Sequence, residues 1–278
     1  MKFGSFIRAL AFCLLLWVPT AALAIPLSNN NNQHNFSSGA VNTNPNTGRP
    51  HPHADTPAND GTSEICIFCH TPHGAKPDTP LWNRSVSTGV TFPFYGGQLV
   101  IKGSFGVTDA TLHSQYNSAT FPYPNGSSKL CLSCHDGVTA IGTVLDGTAF
   151  QMVGASNINA MNPIDSARLD INLATSHPIS FVYDAQVLSD IDQIKPGEYQ
   201  LPTMDDVPLD GQQRMQCTTC HDPHEDTRAT AGMLGLPFWR HRRNISIDGP
   251  FDDVCNDCHL ADKTGKLGGL HDTTPPWP

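Results

Sequence analysis

Apolar positions are concentrated in one stretch of this chain and scattered elsewhere. Ala9 to Val18 is a near-continuous hydrophobic run, preceded by Lys2 and Arg8 and ended by Pro19. A membrane-spanning helix needs about 20 apolar residues, so the run is too short for an anchor. With the small-residue pattern Ala22-Leu23-Ala24 behind it, the run predicts a signal peptide over residues 1–24 and a processed chain starting at Ile25. No later stretch is long and apolar enough to span a bilayer. Residues 140–210 hold most of the remaining amphipathic material and predict one or two small strands. One strand-like run surrounds His177, in Ser176-His-Pro-Ile-Ser-Phe-Val-Tyr183. Residues 25–60 are rich in Asn and Pro and show no hydrophobic period, which predicts a flexible N-terminal arm. Residues 61–278 then form the working domain.

Composition sharpens this picture. Only 38% of the 278 residues are hydrophobic and 8% aromatic, and there are 23 Gly and 23 Pro. That is thin for a core made of side chains, and it opposes long helices or a regular sheet. The expected fold is mostly irregular, with short helices and a few small strands. Something besides apolar side chains should fill its middle.

The cysteines supply a candidate. Of nine, Cys13 lies in the apolar run and would leave with the leader. The other eight form four pairs: Cys66/Cys69, Cys131/Cys134, Cys217/Cys220 and Cys255/Cys258. In an exported chain eight cysteines would ordinarily suggest a disulfide framework. Here each pair is C-x-x-C followed at once by histidine, at His70, His135, His221 and His259. C-x-x-C-H is the attachment signature of c-type haem. Its two thiols reach the two vinyl groups of the porphyrin, and the adjacent imidazole becomes the proximal iron ligand. Zinc ribbons, thioredoxin-like pairs and disulfides do not require histidine at the fifth position. Four covalent haems would also supply the missing apolar volume.

Nine further histidines could close the sixth iron position: His34, His51, His53, His73, His113, His177, His224, His241 and His271. This surplus favours bis-histidine over methionine ligation, which implies comparatively low potentials and no vacant site for substrate. His73 and His224 each follow a haem motif by three residues, in Cys-His-Thr-Pro-His and Cys-His-Asp-Pro-His. Neither can reach the far face of its own haem, but each could ligate a neighbouring one. The alternative is a surface or propionate-bonded histidine beside a turn proline. On residue pattern alone, His177 reads equally well as a buried structural histidine, and His34 as part of a solvated linker. His241, among Arg240, Arg242 and Arg243, suits haem propionates or another surface better than iron. A longer and a plain motif alternate, so the chain reads as an internal repeat of two halves.

These residues resemble a known family. Glu64-Ile-Cys-Ile-Phe-Cys-His-Thr-Pro-His-Gly74, Pro80-Leu-Trp-Asn-Arg84, Leu130-Cys-Leu-Ser-Cys-His-Asp-Gly137, Ser176-His-Pro-Ile-Ser180, Cys217-Thr-Thr-Cys-His-Asp-Pro-His224 and Gln33-His-Asn-Phe-Ser37 are similar to the multihaem c-type cytochromes with doubled C-x-x-C-H motifs. That family includes the tetrahaem subunits of extracellular cytochrome filaments of metal-reducing microbes. The resemblance implies that His34, His73, His177 and His224 are the four distal ligands. It also implies head-to-tail assembly, with His34 able to ligate a haem of the neighbouring subunit.

Charge narrows the partners. The net charge of −9 becomes −11 once Lys2 and Arg8 are removed, which disfavours nucleic acid. The expected partners are redox proteins or extracellular acceptors, and the expected location is extracellular or at the cell surface, with the periplasm as the alternative. The expected function is non-enzymatic electron transfer, as a filament subunit or a soluble shuttle. An oxidoreductase would need an open iron.

Overall fold

The computed structural model describes residues 25–40, 51–75, 81–84, 92, 124–145, 147–154, 168–173, 176–192, 196–203, 207–227, 238–240 and 254–260. The predicted leader, and with it Cys13, lies outside them, as do His113, His241 and His271. Most of the described chain is irregular. Its regular elements are β1 (Ile25–Pro26), β2 (His53–Ala54), α1 (Gly126–His135), β3 (Met152–Val153), α2 (Ala185–Asp192), α3 (Cys217–Cys220) and β4 (Glu225–Asp226). Single 3-10 turns occur at Pro57–Asn59 and Cys66–Phe68. β1 pairs antiparallel with β4, and β2 with β3. No helix among the described residues is long and apolar enough to cross a membrane.

The C-x-x-C-H segments account for much of the helical structure. Each of three of them closes on itself as one turn, with the histidine N–H donating to the carbonyl of the first cysteine. These bonds are 2.7 Å at His70, 3.0 Å at His221 and 2.7 Å at His259. The Cys131 segment instead forms the last turn of α1. Each such turn folds the histidine backbone back onto the first cysteine of its own motif.

The apolar side chains do not form one core. Among the described residues they gather in four small clusters, each touching an attachment cysteine. Phe36, Phe68 and Met152 pack with Cys69. Leu132, Leu173 and Ile179 pack with Cys217. Phe181, Tyr183 and Met215 enclose Cys258, and Val207, Trp239 and Val254 pack with Cys220.

The N-terminal segment departs from its expected flexibility. Residues 25–40 are folded onto the rest of the chain: β1 pairs with β4, and Asn32 and Asn35 are fully buried. Asparagine at every third position explains this. The side-chain oxygens of Asn29, Asn32 and Asn35 accept from the N–H groups of Asn31, His34 and Ser37 at 2.9, 2.8 and 3.1 Å. The run is a series of Asx turns, which use the amide side chain to replace missing backbone partners. A polar composition therefore hides a specific local structure.

Candidate functional site

The Cys66 and Cys217 motifs are built alike. His70 forms an isolated bridge with Trp82, and His221 with Trp239. The N–H of the residue after each histidine donates to the carbonyl of the residue before each tryptophan: Thr71 to Leu81 at 2.8 Å and Asp222 to Phe238 at 2.7 Å. Asn83 donates to the Cys69 carbonyl at 2.9 Å, and Arg240 to the Cys220 carbonyl at 2.8 Å. Leu81 and Phe238 both adopt left-handed backbone, with φ of 63° and 57°. In each motif the tryptophan ring meets the histidine edge-on, at centroid separations of 5.7 and 5.4 Å. These clamps were readable as a recurrence of Pro-Leu-Trp (80–82) in Pro-Phe-Trp (237–239), a signal the motif reading passed over. At the Cys255 motif, Tyr199 bridges His259 in the corresponding way, 4.8 Å from its ring.

The four C-x-x-C-H motifs adjoin one another in chain order. Cys69 lies within electrostatic reach of Cys134. The Cys131 thiol donates to the Cys217 sulfur, which raises the pKa of Cys131 and lowers that of Cys217. Cys220 lies within electrostatic reach of Cys255 and Cys258. Burial pushes the thiols of Cys69, Cys220 and Cys258 up to about 12. At neutral pH these three thiols are protonated. None of the eight is in a disulfide. Among the described residues no three His, Cys, Asp or Glu side chains converge as a metal site.

A polar brace joins the second and third sites. Gln216 is 2% exposed. Its amide nitrogen donates to Asn125 Oδ1 and Asp210 Oδ2, both at 3.0 Å, and its oxygen accepts from the Ser128 N–H at 3.2 Å. Ser128 Oγ in turn accepts from the Cys217 N–H at 3.0 Å. The starts of α1 and α3 are thereby locked together. Arg84, 2% exposed, ties the first site to the second: its guanidinium donates to the carbonyls of Ile141, Ala140 and Ser133 at 2.6, 2.7 and 3.3 Å.

The structure pairs three of the four expected distal histidines with proximal ones. His34 faces His135 at a ring-centroid separation of 6.1 Å, His224 faces His70 at 6.3 Å, and His177 faces His259 at 6.3 Å. An imidazole nitrogen lies about 2.0 Å from a first-row metal ion, with the ring centroid about 1.1 Å behind it. Two imidazoles on opposite faces of one iron therefore hold their centroids about 6.2 Å apart. Ordinary aromatic pairs span about 4.5–7 Å, so the distance alone does not distinguish a ligand pair. Each of the three pairs contains one C-x-x-C-H histidine. His34 thus has a facing imidazole within its own chain. His73 is exposed, and the described contact of the His221 ring is with Trp239.

The ring nitrogens are also in a suitable state. His34 Nδ1 lies 2.9 Å from the Pro223 carbonyl, and His177 Nδ1 lies 2.8 Å from the Pro178 carbonyl. His224 Nδ1 lies 3.3 Å from an Asp222 carboxylate oxygen. An acceptor at Nδ1 orients the ring and favours the proton on that nitrogen. Burial and the neighbouring His135 lower the pKa of His34 from 6.5 to about 4, so this imidazole is neutral, as ligation requires. His51 is buried and stacked on Phe36, with centroids 5.2 Å apart, and its carbonyl meets His53 Nδ1 at 2.9 Å. Comparison with known proteins yields no match: no family model fits any part of the chain, and no curated protein matches it.

Proposed function

We propose that the chain is an electron-transfer protein holding four covalent c-type haems, each ligated by two histidines. The observation that carries this reading is the facing of proximal and distal imidazoles at 6.1 to 6.3 Å in three separate places. Cys66 and Cys69, Cys131 and Cys134, Cys217 and Cys220, and Cys255 and Cys258 would hold the haems as thioethers. His70, His135, His221 and His259 would be the proximal ligands. The distal partners are His224 for His70, His34 for His135 and His177 for His259. His73 is assigned to His221, because the two clamped motifs are built alike and His224 already serves the opposite member of the pair.

The bound group supplies an iron that changes oxidation state. The polypeptide would hold that iron between a proximal and a distal histidine. Closed positions admit electrons but no substrate, so the proposed function is not enzymatic. Four small clusters with an attachment cysteine in each leave flat apolar groups to complete the interior. Contact between successive attachment sites suits electron passage along the chain of haems. Secretion and partnership with redox proteins or extracellular acceptors follow from the sequence. Filament assembly rests on the family resemblance, and with His34 assigned within its own chain, any subunit contact would use other groups.

The test is to express the full chain with a c-type maturation system and count haems by denaturing mass spectrometry and the pyridine haemochrome spectrum. Four covalent haems with low-spin optical bands are expected. A chain that carries none, or one with high-spin bands from an open iron, would refute the proposal. Electron microscopy of the secreted protein separates filaments from monodisperse particles.

A further inference from the structure

The three facing pairs differ in how their rings are turned. The planes of His70 and His224 are 20° apart, whereas those of His34 and His135 are 77° apart and those of His177 and His259 are 85° apart. Two of the pairs meet at the turn Asp222-Pro223-His224. His224 itself faces His70, with its Nδ1 beside the Asp222 carboxylate. One residue earlier, the Pro223 carbonyl accepts from Nδ1 of His34, whose ring also stacks on Phe238 at 4.0 Å with a 17° tilt. Asn32 strengthens the same junction, its Oδ1 accepting from the His34 N–H at 2.8 Å and its amide group lying 3.4 Å from the His224 carbonyl.

We propose that this one turn sets the axial geometry of two irons at once, and that it makes their haems electronically different. It brings His224 to the Cys66/Cys69 haem with near-parallel ligand planes. Through the Pro223 carbonyl it turns His34 across the Cys131/Cys134 haem, with near-perpendicular planes. Pro223 is in this sense a positioning residue, acting through His34. The Cys255/Cys258 haem belongs to the perpendicular class too, with the Pro178 carbonyl in the corresponding role. The proposal rests on the bis-histidine reading above.

The physical consequence lies in the iron d orbitals. Parallel imidazole planes draw π-density along one direction and split the two d orbitals that point between ligand and porphyrin, which gives a rhombic low-spin signal in electron paramagnetic resonance. Perpendicular planes leave those orbitals nearly degenerate and give a signal with a single large g value. Outer-shell hydrogen bonds fix ligand orientation in this way at metal sites generally.

The experiment is low-temperature electron paramagnetic resonance of the oxidised full-length holoprotein, integrated per haem, with haem content checked by the pyridine haemochrome. Expected are both signal types, with the large-g type accounting for at least two haems. His224→Ala should remove one haem equivalent of the rhombic signal and spare the large-g signals. His34→Ala and His177→Ala should each remove one large-g equivalent. Pro223→Gly keeps every ligand but loosens the carbonyl, and should broaden or shift only the signal lost in His34→Ala. A wild-type spectrum that is wholly rhombic, a loss of large-g intensity in His224→Ala, or a Pro223→Gly spectrum identical to wild type would overturn the proposal while leaving four low-spin haems in place. Absence of covalent haem would instead overturn the reading beneath it.

Discussion

Replacing Arg84 by methionine removes a buried cation while keeping most of the stem volume. In the structure this guanidinium is 2% exposed and donates to three carbonyls, at Ile141, Ala140 and Ser133. Hydrogen bonds from charged groups contribute about 1.5–3 kcal/mol each, and a buried carbonyl stripped of its donor costs about 1–3 kcal/mol. The 3.3 Å bond to Ser133 is the weakest of the three, and recovering the desolvation cost of the cation offsets part of the loss. The expected net destabilisation is about 3–5 kcal/mol. Guanidinium chloride unfolding of the holoprotein, followed by far-UV circular dichroism, is the assay. With a slope of roughly 2–6 kcal/mol per molar for this denaturant, the midpoint should fall by about 1 M. Arg84→Lys should recover little of that loss, because an ammonium on a flexible stem does not bridge three carbonyls as the planar fork does. A second readout uses the closeness of Arg84 to the thiols of Cys69 and Cys134, which its charge acts on. A nearby positive charge favours the reduced haem, so spectroelectrochemistry of Arg84→Met should show lowered midpoint potentials for the two haems held there. A midpoint shift below about 0.3 M, together with unchanged potentials, would refute the reasoning.

Other outcomes follow from the same structure. Gln216→Leu leaves Asn125, Asp210 and the Ser128 N–H without their shared partner, and should lower stability by about 2–3 kcal/mol in the same unfolding assay. Gly126→Ala places a Cβ 2.6 Å from Gln216 Nε2 at a φ of +54°, and should cost about 1–3 kcal/mol by strain and by disturbing that brace. In the haem-free polypeptide, His34 has a folded pKa near 4 against 6.5. Its contribution is therefore present above pH 6.5 and lost as pH falls towards 4, by roughly 3 kcal/mol. Urea titrations across that range should show the loss, and His34→Phe should flatten it.

The C-x-x-C-H motifs were legible because they are a matter of neighbouring residues. In three of them the five residues close one turn through a bond from the histidine N–H to the first cysteine carbonyl. The thin apolar composition and the many Gly and Pro residues likewise pointed to a mostly irregular fold, and the loop-rich architecture with short helices and small strands agrees with that. The Asn-rich segment was misjudged for a physical reason. Composition measures average solvation, whereas Asx turns depend on spacing, and Asn29, Asn32 and Asn35 fall three residues apart. The Pro-Leu-Trp and Pro-Phe-Trp recurrence was equally present in the sequence but carries no chemistry of its own.

By itself the sequence determined which residues could hold a haem and how many haems there could be, since both depend on the identity and order of neighbours. Only the tertiary structure decided which histidine faces which, because each pair joins segments far apart in the chain. It also decided how the rings are turned. That rotation is soft in an isolated histidine; His34 meets the Pro223 carbonyl at Nδ1 and stacks on Phe238, both far from it in the chain.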